Sequence, residues 1–506
     1  MATTSACRDL PPKARRNPSW LLVCAALAML PTSSHSEEPE YRAQLKFPVL
    51  AEADNAADPP HLREPKLDWE TGAGKSYLIP ALDIIGFQVL LNQFNRHYVD
   101  PPTYASNINT IQHNLHTSWV FDNDPFATNQ FLHPYQGSIY HGFARSAGLN
   151  YWESLVYTMA GSAVWEIAGE TTAPSKNDQI ATGIGGTFLG EPLFRMASLL
   201  LESADGTPSI WRELGAALLS PAMGFNRLAY GDRFDAIFPS HHPAVYWRVQ
   251  IGVAYTDHIR DQGVNIPIDH TEGQADFAMA YGLPGKSDYA YTRPFDYFNF
   301  QLTASTANTI ESITSLGLLL GTDYEAGKAY RGIWGLYGSY DYISPQTFRV
   351  SSTALSIGTT AQWWLSKSIA LQYTALAGVG YAAAGNIRGS GDRDYHYGAT
   401  PQALLAAKLI FGERANLDIA AREYYVTNVV SPEGRGFEDI IRLDTTFTVR
   451  VHGHHAIALK YILSHREAHY PDLGDRHQTM GTVGLYYTWI SDKEFGAVEW
   501  RDASVH

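Results

Sequence analysis

Cysteine is scarce in this chain of 506 residues: Cys7 and Cys24 are the only two, and both lie near the N-terminus. Removal of an N-terminal signal leaves no thiol, which excludes disulfides, cysteine nucleophiles and thiolate metal sites. Charged residues are also few, at 17% of the chain, against roughly 25% in soluble domains. Past the signal, no apolar run reaches the roughly 18 residues of a membrane helix. The composition therefore excludes disulfide-rich scaffolds and ordinary helical membrane proteins.

Residues 1–36 predict a secretion signal. Lys13, Arg15 and Arg16 supply a positive segment, and residues 20–30 form an apolar run that is too short to span a bilayer. Cleavage before Glu37 removes four of 37 basic and one of 51 acidic residues, which leaves 33 and 50. The resulting net charge of about −17 argues against nucleic acid as a partner.

Beyond about residue 244, apolar and polar residues alternate with the period of a β-strand. In residues 441–452, apolar side chains such as Phe447 and Val449 hold odd positions, and Thr446 and Thr448 hold even ones. Such segments are longer than the usual 5 or 6 residues and match the roughly 9–11 that a strand needs to cross a membrane. The predicted strands are 244–258, 273–283, 295–308, 311–325, 330–344, 348–366, 368–385, 394–412, 414–428, 436–453, 455–470 and 476–491.

The connections between these strands favour an outer-membrane barrel over a soluble one. From the sixth strand onward, tight turns at 365–368, 411–414 and 452–455 alternate with longer loops, which is typical of outer-membrane barrels. We therefore predict an antiparallel transmembrane β-barrel of about twelve strands over residues 244–491. Residues 492–506 follow as a C-terminal tail.

The region before the barrel divides into two parts. Residues 37–75 are rich in Pro, Ala, Asp and Glu without periodicity, and they predict a disordered periplasmic linker. Residues 76–238 predict a helical domain, so the fold class is α+β. Asn150 and Ser175 are expected to cap two of the helices, with Glu153 and Asp178 three residues later. The predicted helices lie within 74–98, 150–170, 175–202 and 209–231.

Four segments in this domain resemble a bacterial family known as domain of unknown function 3943, over roughly residues 110–220. They are "NQFLHPYQGSIYHGFARSAGLNYWES" (129–154), "GSAVWEIAGE" (161–170), "PSKNDQIATGIGGTFLGE" (174–191) and "FR" (194–195). Proteins similar to this family carry a signal peptide, the helical motif region and a β-rich C-terminal part. The resemblance implies that organisation for this chain and implies no known activity.

Two interpretations of the helical motif remain open. In the first, Gly186 and Gly190 let helices approach closely, and the polar residues cap helices or neutralise one another. In the second, polar side chains converge to activate a water or a hydroxyl, such as that of Ser138 or Ser146, against a lipid ester, or to hold a divalent metal. The catalytic candidates are His141, Glu166, Glu170 and Asp178, and the binding candidates are His133, Tyr140, Arg145, Glu153 and Arg195. The sequence contains no zinc-helix, nucleophile-elbow or phosphate-loop motif, so we predict no metal or cofactor.

The polar register of the strands predicts a lumen that leans basic. The residues expected to face it include Arg248, Lys408, Arg422, Arg442, Asp444 and Arg450. We expect a pore, transport or envelope-structural role in the bacterial outer membrane, with the helical domain in the periplasm or plugging the lumen. The alternative is a lipid-directed hydrolase or transferase. Expected partners are outer-membrane lipid, small anionic solutes and the barrel-assembly machinery during biogenesis.

Overall fold

The computed structural model shows a helical region followed by a closed antiparallel β-barrel, so the predicted fold class is confirmed. It describes residues 66–202, 207–344, 349–385, 391–427, 436–471 and 474–499. The predicted signal peptide, and the predicted linker up to residue 65, lie outside the described residues.

The barrel has twelve strands, each paired with its neighbours in sequence, and β1 pairs with β12 to close the wall. Their bounds are β1 Val245–Asp261, β2 Val264–Tyr281, β3 Phe298–Ser305, β4 Ser312–Glu325, β5 Tyr330–Ile343, β6 Arg349–Ser366, β7 Ile369–Gly385, β8 Tyr395–Phe411, β9 Ala415–Thr427, β10 Phe437–His452, β11 His455–Tyr470 and β12 Gly474–Ile490. We call the end at which β1 begins and β12 ends the near end, and the opposite end the far end.

The first hairpin is longer than predicted. The prediction began the second strand at residue 273, whereas β2 begins at Val264 and β1 continues to Asp261. Gln262 and Gly263 form the turn with φ angles of 52° and 80°, as a two-residue hairpin of the I′ type requires. A register shift between Thr256 and His258 and the proline at position 267 interrupt the alternation, which explains why the sequence pattern ends early.

Alternation gives the wall two faces. Contacts between strands that are not neighbours identify the inner face: Lys460 Nζ lies 3.8 Å from Asp276 Oδ2, and Tyr424 donates to Asp341 over 2.9 Å. The opposite register carries exposed apolar side chains, as a lipid-facing surface does. This outer set includes Ile251, Val253, Tyr255, Leu355, Ile357, Val379, Leu405, Phe447, Val449, Ile457, Leu459, Val483, Leu485 and Tyr487.

The helical region has eight described α-helices. They are α1 Leu78–Tyr98, α2 Ile108–His116, α3 His133–Ser146, α4 Tyr151–Val164, α5 Lys176–Ile180, α6 Gly186–Leu201, α7 Ile210–Leu219 and α8 Pro221–Tyr230. The predicted caps form: Asn150 accepts from the Glu153 backbone N–H, and Ser175 from that of Asp178. The fourth predicted helix is divided at Pro221 into α7 and α8. None of the described helices is long and apolar enough to cross a membrane.

Three π-helical turns interrupt these helices. The first, Thr128–Leu132, leads into α3; the second, Trp165–Gly169, follows α4; the third, Ala181–Gly185, joins α5 to α6. Such turns are rare and occur frequently at functional sites, because the extra residue redirects the side chains around it.

Helices α3 and α6 cross in backbone contact at two glycines. A Cβ on Gly186 would lie 2.6 Å from Gly137 Cα, and one on Gly137 would lie 1.9 Å from Thr182 O. Real Cβ atoms do not approach other atoms so closely, so only glycine fits both positions. The expected close approach at Gly186 is therefore present, and its partner is Gly137.

The helical region packs against the outer face of the wall. Ser315 donates to Phe188 O over 2.6 Å, and Tyr340 donates to Gln130 O. Ser315 and Tyr340 are paired neighbours, and each lies next to a residue of the inner register, Thr314 and Asp341. The region therefore lies outside the lumen, and the alternative prediction that it plugs the barrel does not fit these contacts.

The covered part of the wall extends diagonally across seven strands. It runs from Tyr281, at the near end of β2, to Tyr395, at the far end of β8. Phe298 and Tyr342 lie between them in the same aromatic core, against Phe126 and Phe188 from the helical region. Helices bury these outer-face residues, whereas the corresponding outer-face residues of other strands are exposed.

Candidate functional site

The three π-helical turns surround a buried cluster of His133, Glu166 and Asp178, which we call the His133 cluster. Each residue offers one donor atom, and these atoms lie within 4.8 Å of one another. Their exposures are only 6%, 3% and 3%. The structure therefore brings together three of the predicted site residues, and imidazole with two carboxylates is a set that can hold a divalent metal.

Neighbouring groups orient all three side chains. His133 Nδ1 lies 3.2 Å from Thr182 Oγ1, the Ser175 backbone N–H donates to Glu166 Oε2 over 2.8 Å, and Asn177 donates to Asp178 Oδ1 over 3.0 Å. Burial lowers the pKa of His133 to about 4. Burial, together with neighbouring carboxylates, raises the pKa of Glu166 and of Asp178 well above the usual range.

His141 belongs to a second buried cluster, centred on Glu191. His141 Nε2 lies 2.9 Å from Glu191 Oε2, Arg145 Nε donates to the same oxygen over 2.7 Å, and Arg195 Nε donates to Oε1 over 2.8 Å. Arg195 also pairs with Asp296, before β3, over 3.0 Å. The prediction that His141 converges with Glu166 and Asp178 does not fit this arrangement.

The Glu191 carboxylate is surrounded by basic side chains. Burial alone would raise the pKa of Glu191, but Arg145, His141 and Arg195 together hold it below its usual range. Burial lowers the pKa of His141. Three guanidinium groups, from Arg145, Arg195 and Arg293, lie against the carboxylates of Glu191 and Asp296. These ion pairs join α3, α6 and the connection before β3. We therefore interpret the cluster as structural.

The other predicted residues have separate roles. Glu170 accepts from Trp165 Nε1 over 3.0 Å, and burial raises its pKa to about 7. The Tyr140 hydroxyl accepts from Gln88 Nε2 over 3.0 Å, which ties α3 to α1. Glu153 caps α4 and pairs with Lys75 over 3.1 Å at the surface. None of these three lies in the His133 cluster.

The lumen contains a cavity of about 250 Å³. Among the predicted lumen residues, Arg248, Lys408, Arg422 and Asp444 line it. Arg442 pairs with Asp444 over 3.1 Å on the same register, and Arg450 pairs with Glu413 at the near end. The charged lining consists of Arg248, Lys408, Arg422, Lys460, Asp341, Asp418 and Asp444.

The segment after β12, together with Leu283 from the connection between β2 and β3, fills the lumen at its near end. Gln362 donates to Val498 O over 2.6 Å, and Gln372 donates to Gly496 O over 2.7 Å, both from the inner face of the wall. Phe495 is fully buried against inner residues that include Tyr246 and Ile410. Residues 495–498 of the predicted C-terminal tail therefore lie in the barrel interior.

Comparison with known proteins agrees with the resemblance inferred from the motifs. Residues 118–222 match the family model described as "Domain of unknown function (DUF3943)", and this range contains both buried clusters except Asp296. No curated protein matches the chain.

Solved structures similar to the chain include outer-membrane channels. The outer membrane channel DcaP of Acinetobacter baumannii is 7% identical, covers 49% of this chain and 96% of its own, and has a TM-score of 0.24. The NanC porin is 8% identical, covers 48% of this chain and 98% of its own, and has a TM-score of 0.24. The Pseudomonas putida toluene transporter TodX is 9% identical, covers 50% of this chain and 90% of its own, and has a TM-score of 0.21.

Proposed function

We propose that the protein is an outer-membrane channel for small polar solutes, closed at its near end by the segment after β12. The cavity in the lumen is the observation that carries this proposal. Its lining has four basic and three acidic side chains, so it offers hydrogen bonds and a weak preference for anions.

The near end is proposed to face the periplasm. Outer-membrane barrels have short turns on that side, and from β6 onward the near-end connections at 367–368, 412–414 and 453–454 are all short. In the first half of the barrel this rule does not hold, because the near-end connection between β2 and β3 is long. On the outside, the exposed apolar residues of the outer set suit contact with lipid tails. These two features support an outer-membrane location.

The helical region is proposed to lie at the depth of the lipid, against the wall that it covers. On α1, the exposed positions from Leu78 to Leu90 are all apolar, whereas the acidic Asp83 is buried and accepts from the Tyr230 hydroxyl. Thirteen helical residues span about 20 Å, most of the hydrocarbon core of a bilayer. Water against this face would leave a long apolar stripe uncovered, so lipid is the solvent that it fits.

Planar-bilayer recording tests the channel. The full chain should show small or rare conductance steps, and a chain that ends after Ser491 should show larger ones, because the mouth is then open. Heat-modifiable migration in gels controls for barrel folding. A folded, truncated barrel without conductance would refute the proposal.

Ion selectivity gives a second test with a matched control. Arg422→Gln removes a cavity-lining charge and should shift the reversal potential in a KCl gradient toward cation preference. Arg414→Gln removes a charge from an exposed near-end turn and should shift it much less. Equal shifts would mean that the lumen does not carry the current.

Spin labels test the position of the helical region. Because both cysteines lie in the predicted signal, a single cysteine at position 90 can be labelled specifically. A nitroxide at Leu90→Cys should collide more with oxygen than with a water-soluble nickel complex, and one at Glu70→Cys, an exposed polar site, should do the reverse. A water-like signal at position 90 would place the helices outside the bilayer.

The hydrolase alternative finds no support in the geometry. Ser138 and Ser146, the predicted nucleophiles, donate to the backbone carbonyls of Tyr135 and Gly142 over 2.6 Å each. The His133 cluster is buried, so an ester could reach it only if the helices separated. Turnover of a lipid ester by the pure protein would be the result that restores this alternative.

A further inference from the structure

The three members of the His133 cluster each present one donor atom to a common point. The second polar atom of each side chain is already engaged, by Thr182 for His133, by the Ser175 N–H for Glu166 and by Asn177 for Asp178. This leaves the imidazole Nε2 and one oxygen on each carboxylate. Metal ligands typically make a hydrogen bond through the atom that does not bind the metal. For histidine, this bond fixes the tautomer and the orientation of the ring.

Glu166 supplies a second, independent sign that something is bound. Its Oε1 is buried and has no hydrogen-bond partner among the described residues, although the residue is only 3% exposed. An unsatisfied buried carboxylate oxygen is costly unless an ion or a water completes its hydrogen bonding. Glu166 Oε1 is therefore available to a bound ion.

The distances suit a metal ion. His133 Nε2 and Asp178 Oδ2 are 3.7 Å apart. Metal–ligand bonds of about 2.0–2.2 Å in a tetrahedral site place neighbouring ligand atoms about 3.3–3.6 Å apart. The three donor atoms, which lie within 4.8 Å of one another, must therefore move closer together to bind the ion. Three protein ligands leave a fourth position for water.

The backbone around the cluster is built to place these donors. His133 directly follows one π-helical turn, Glu166 lies within the second, and Asp178 precedes the third by three residues. Three rare turns converge on one point from segments that are distant in sequence. Tyr397 of the outer wall accepts from Asn177 over 2.8 Å, so the same cluster connects the helices to β8.

We propose that His133, Glu166 and Asp178 bind one divalent transition-metal ion, Zn²⁺ or Mn²⁺. Imidazole and carboxylate donors suit both ions, and the absence of thiolate from the set makes a soft ion such as Cu⁺ a poor fit. The ion neutralises the two carboxylates and joins three segments of the helical region close to the wall. The proposal is independent of the channel, because the site lies on the outer side of the barrel.

Metal analysis of the full chain tests this proposal. The protein is purified in detergent, stripped with EDTA, dialysed against Zn²⁺ or Mn²⁺ at micromolar concentration, and analysed for metal by mass spectrometry. We expect one equivalent per chain in the wild type and less than a tenth of that in Asp178→Asn and Glu166→Gln. Replacement by Co²⁺ should give visible absorption bands that the two variants lose.

Two controls make the outcome decisive. His455→Ala removes an exposed imidazole next to a near-end turn. This variant should still bind one equivalent of metal per chain, which would exclude binding by this surface histidine. Heat-modifiable migration and protease resistance establish that each variant is folded, and both substitutions keep the size of the side chain. A folded wild type that holds no metal, or variants that hold as much as the wild type, would overturn the proposal.

Discussion

The contact between α3 and α6 allows a sharp test with a single methyl group. Gly186→Ala places a Cβ 2.6 Å from Gly137 Cα and 3.0 Å from Pro134 O, both backbone atoms that cannot rotate away. The helices must separate by several tenths of an ångström, and overpacking of this kind costs about 1–3 kcal/mol. Alanine also has a higher helix propensity than glycine, which stabilises the helix by up to about 1 kcal/mol. We therefore expect a net loss of up to about 2 kcal/mol in the stability of the helical region.

The matched control is Gly86→Ala on α1. A Cβ at Gly86 meets nothing within 4 Å, so this substitution keeps only the propensity gain and should not destabilise the helices. The assay is limited proteolysis across a urea series, with heat-modifiable migration to follow the barrel separately. If Gly186→Ala is as resistant as the wild type and as Gly86→Ala, the backbone contact between the two helices is refuted.

Two further predictions concern the wall and the Glu191 cluster. Val449→Arg places a charge on the lipid side and should lower barrel stability by about 2–4 kcal/mol if it lies near the midplane, as urea unfolding in liposomes would show. Thr446→Arg, on the inner face directly opposite Asp418 and Lys460, should cost much less, and equal costs would contradict the register. Glu191→Gln removes the carboxylate that pairs with Arg145 and Arg195. Because buried guanidinium charge is then left unpaired, the helical region should lose about 3–5 kcal/mol of stability, measured by protease resistance in urea. Glu153→Gln, at a partly exposed cap, should cost about 1 kcal/mol; a similar loss in both would argue against the buried network.

The strands could be predicted because a membrane barrel imposes both a period and a length on its sequence. Strand β10 lies within one residue of its predicted bounds, since Phe447 and Val449 must face outward and Thr446 and Thr448 inward. The position of the helices could not be predicted from the same pattern. An outer-face residue such as Tyr340 is apolar whether a helix or a lipid covers it, so alternation does not distinguish the two.

The grouping of the buried polar side chains could be predicted in part. His133, Glu166 and Asp178 were among the candidates because carboxylates are rare in apolar helices, and the structure brings them together. His141 was wrongly grouped with them: it lies eight residues after His133, about 80° further around an α-helix, and so meets Glu191 instead. Glu191 was missed as a site residue, although its spacing of four from Arg195 in an apolar helix was a usable signal.

The diagonal coverage of the wall bears on how the barrel is assembled. The helical region contacts β2 through β8, which are consecutive in both the chain and the sheet, and the outer faces of β11 and β12 stay exposed. An unfinished sheet of the first eight strands would already have a concave support on its outer face, which would favour the curvature of a barrel. The remaining four strands then need only follow that arc until β12 reaches β1. The helical region would thus help to set the curvature of strands β2 to β8 during biogenesis, before the barrel closes.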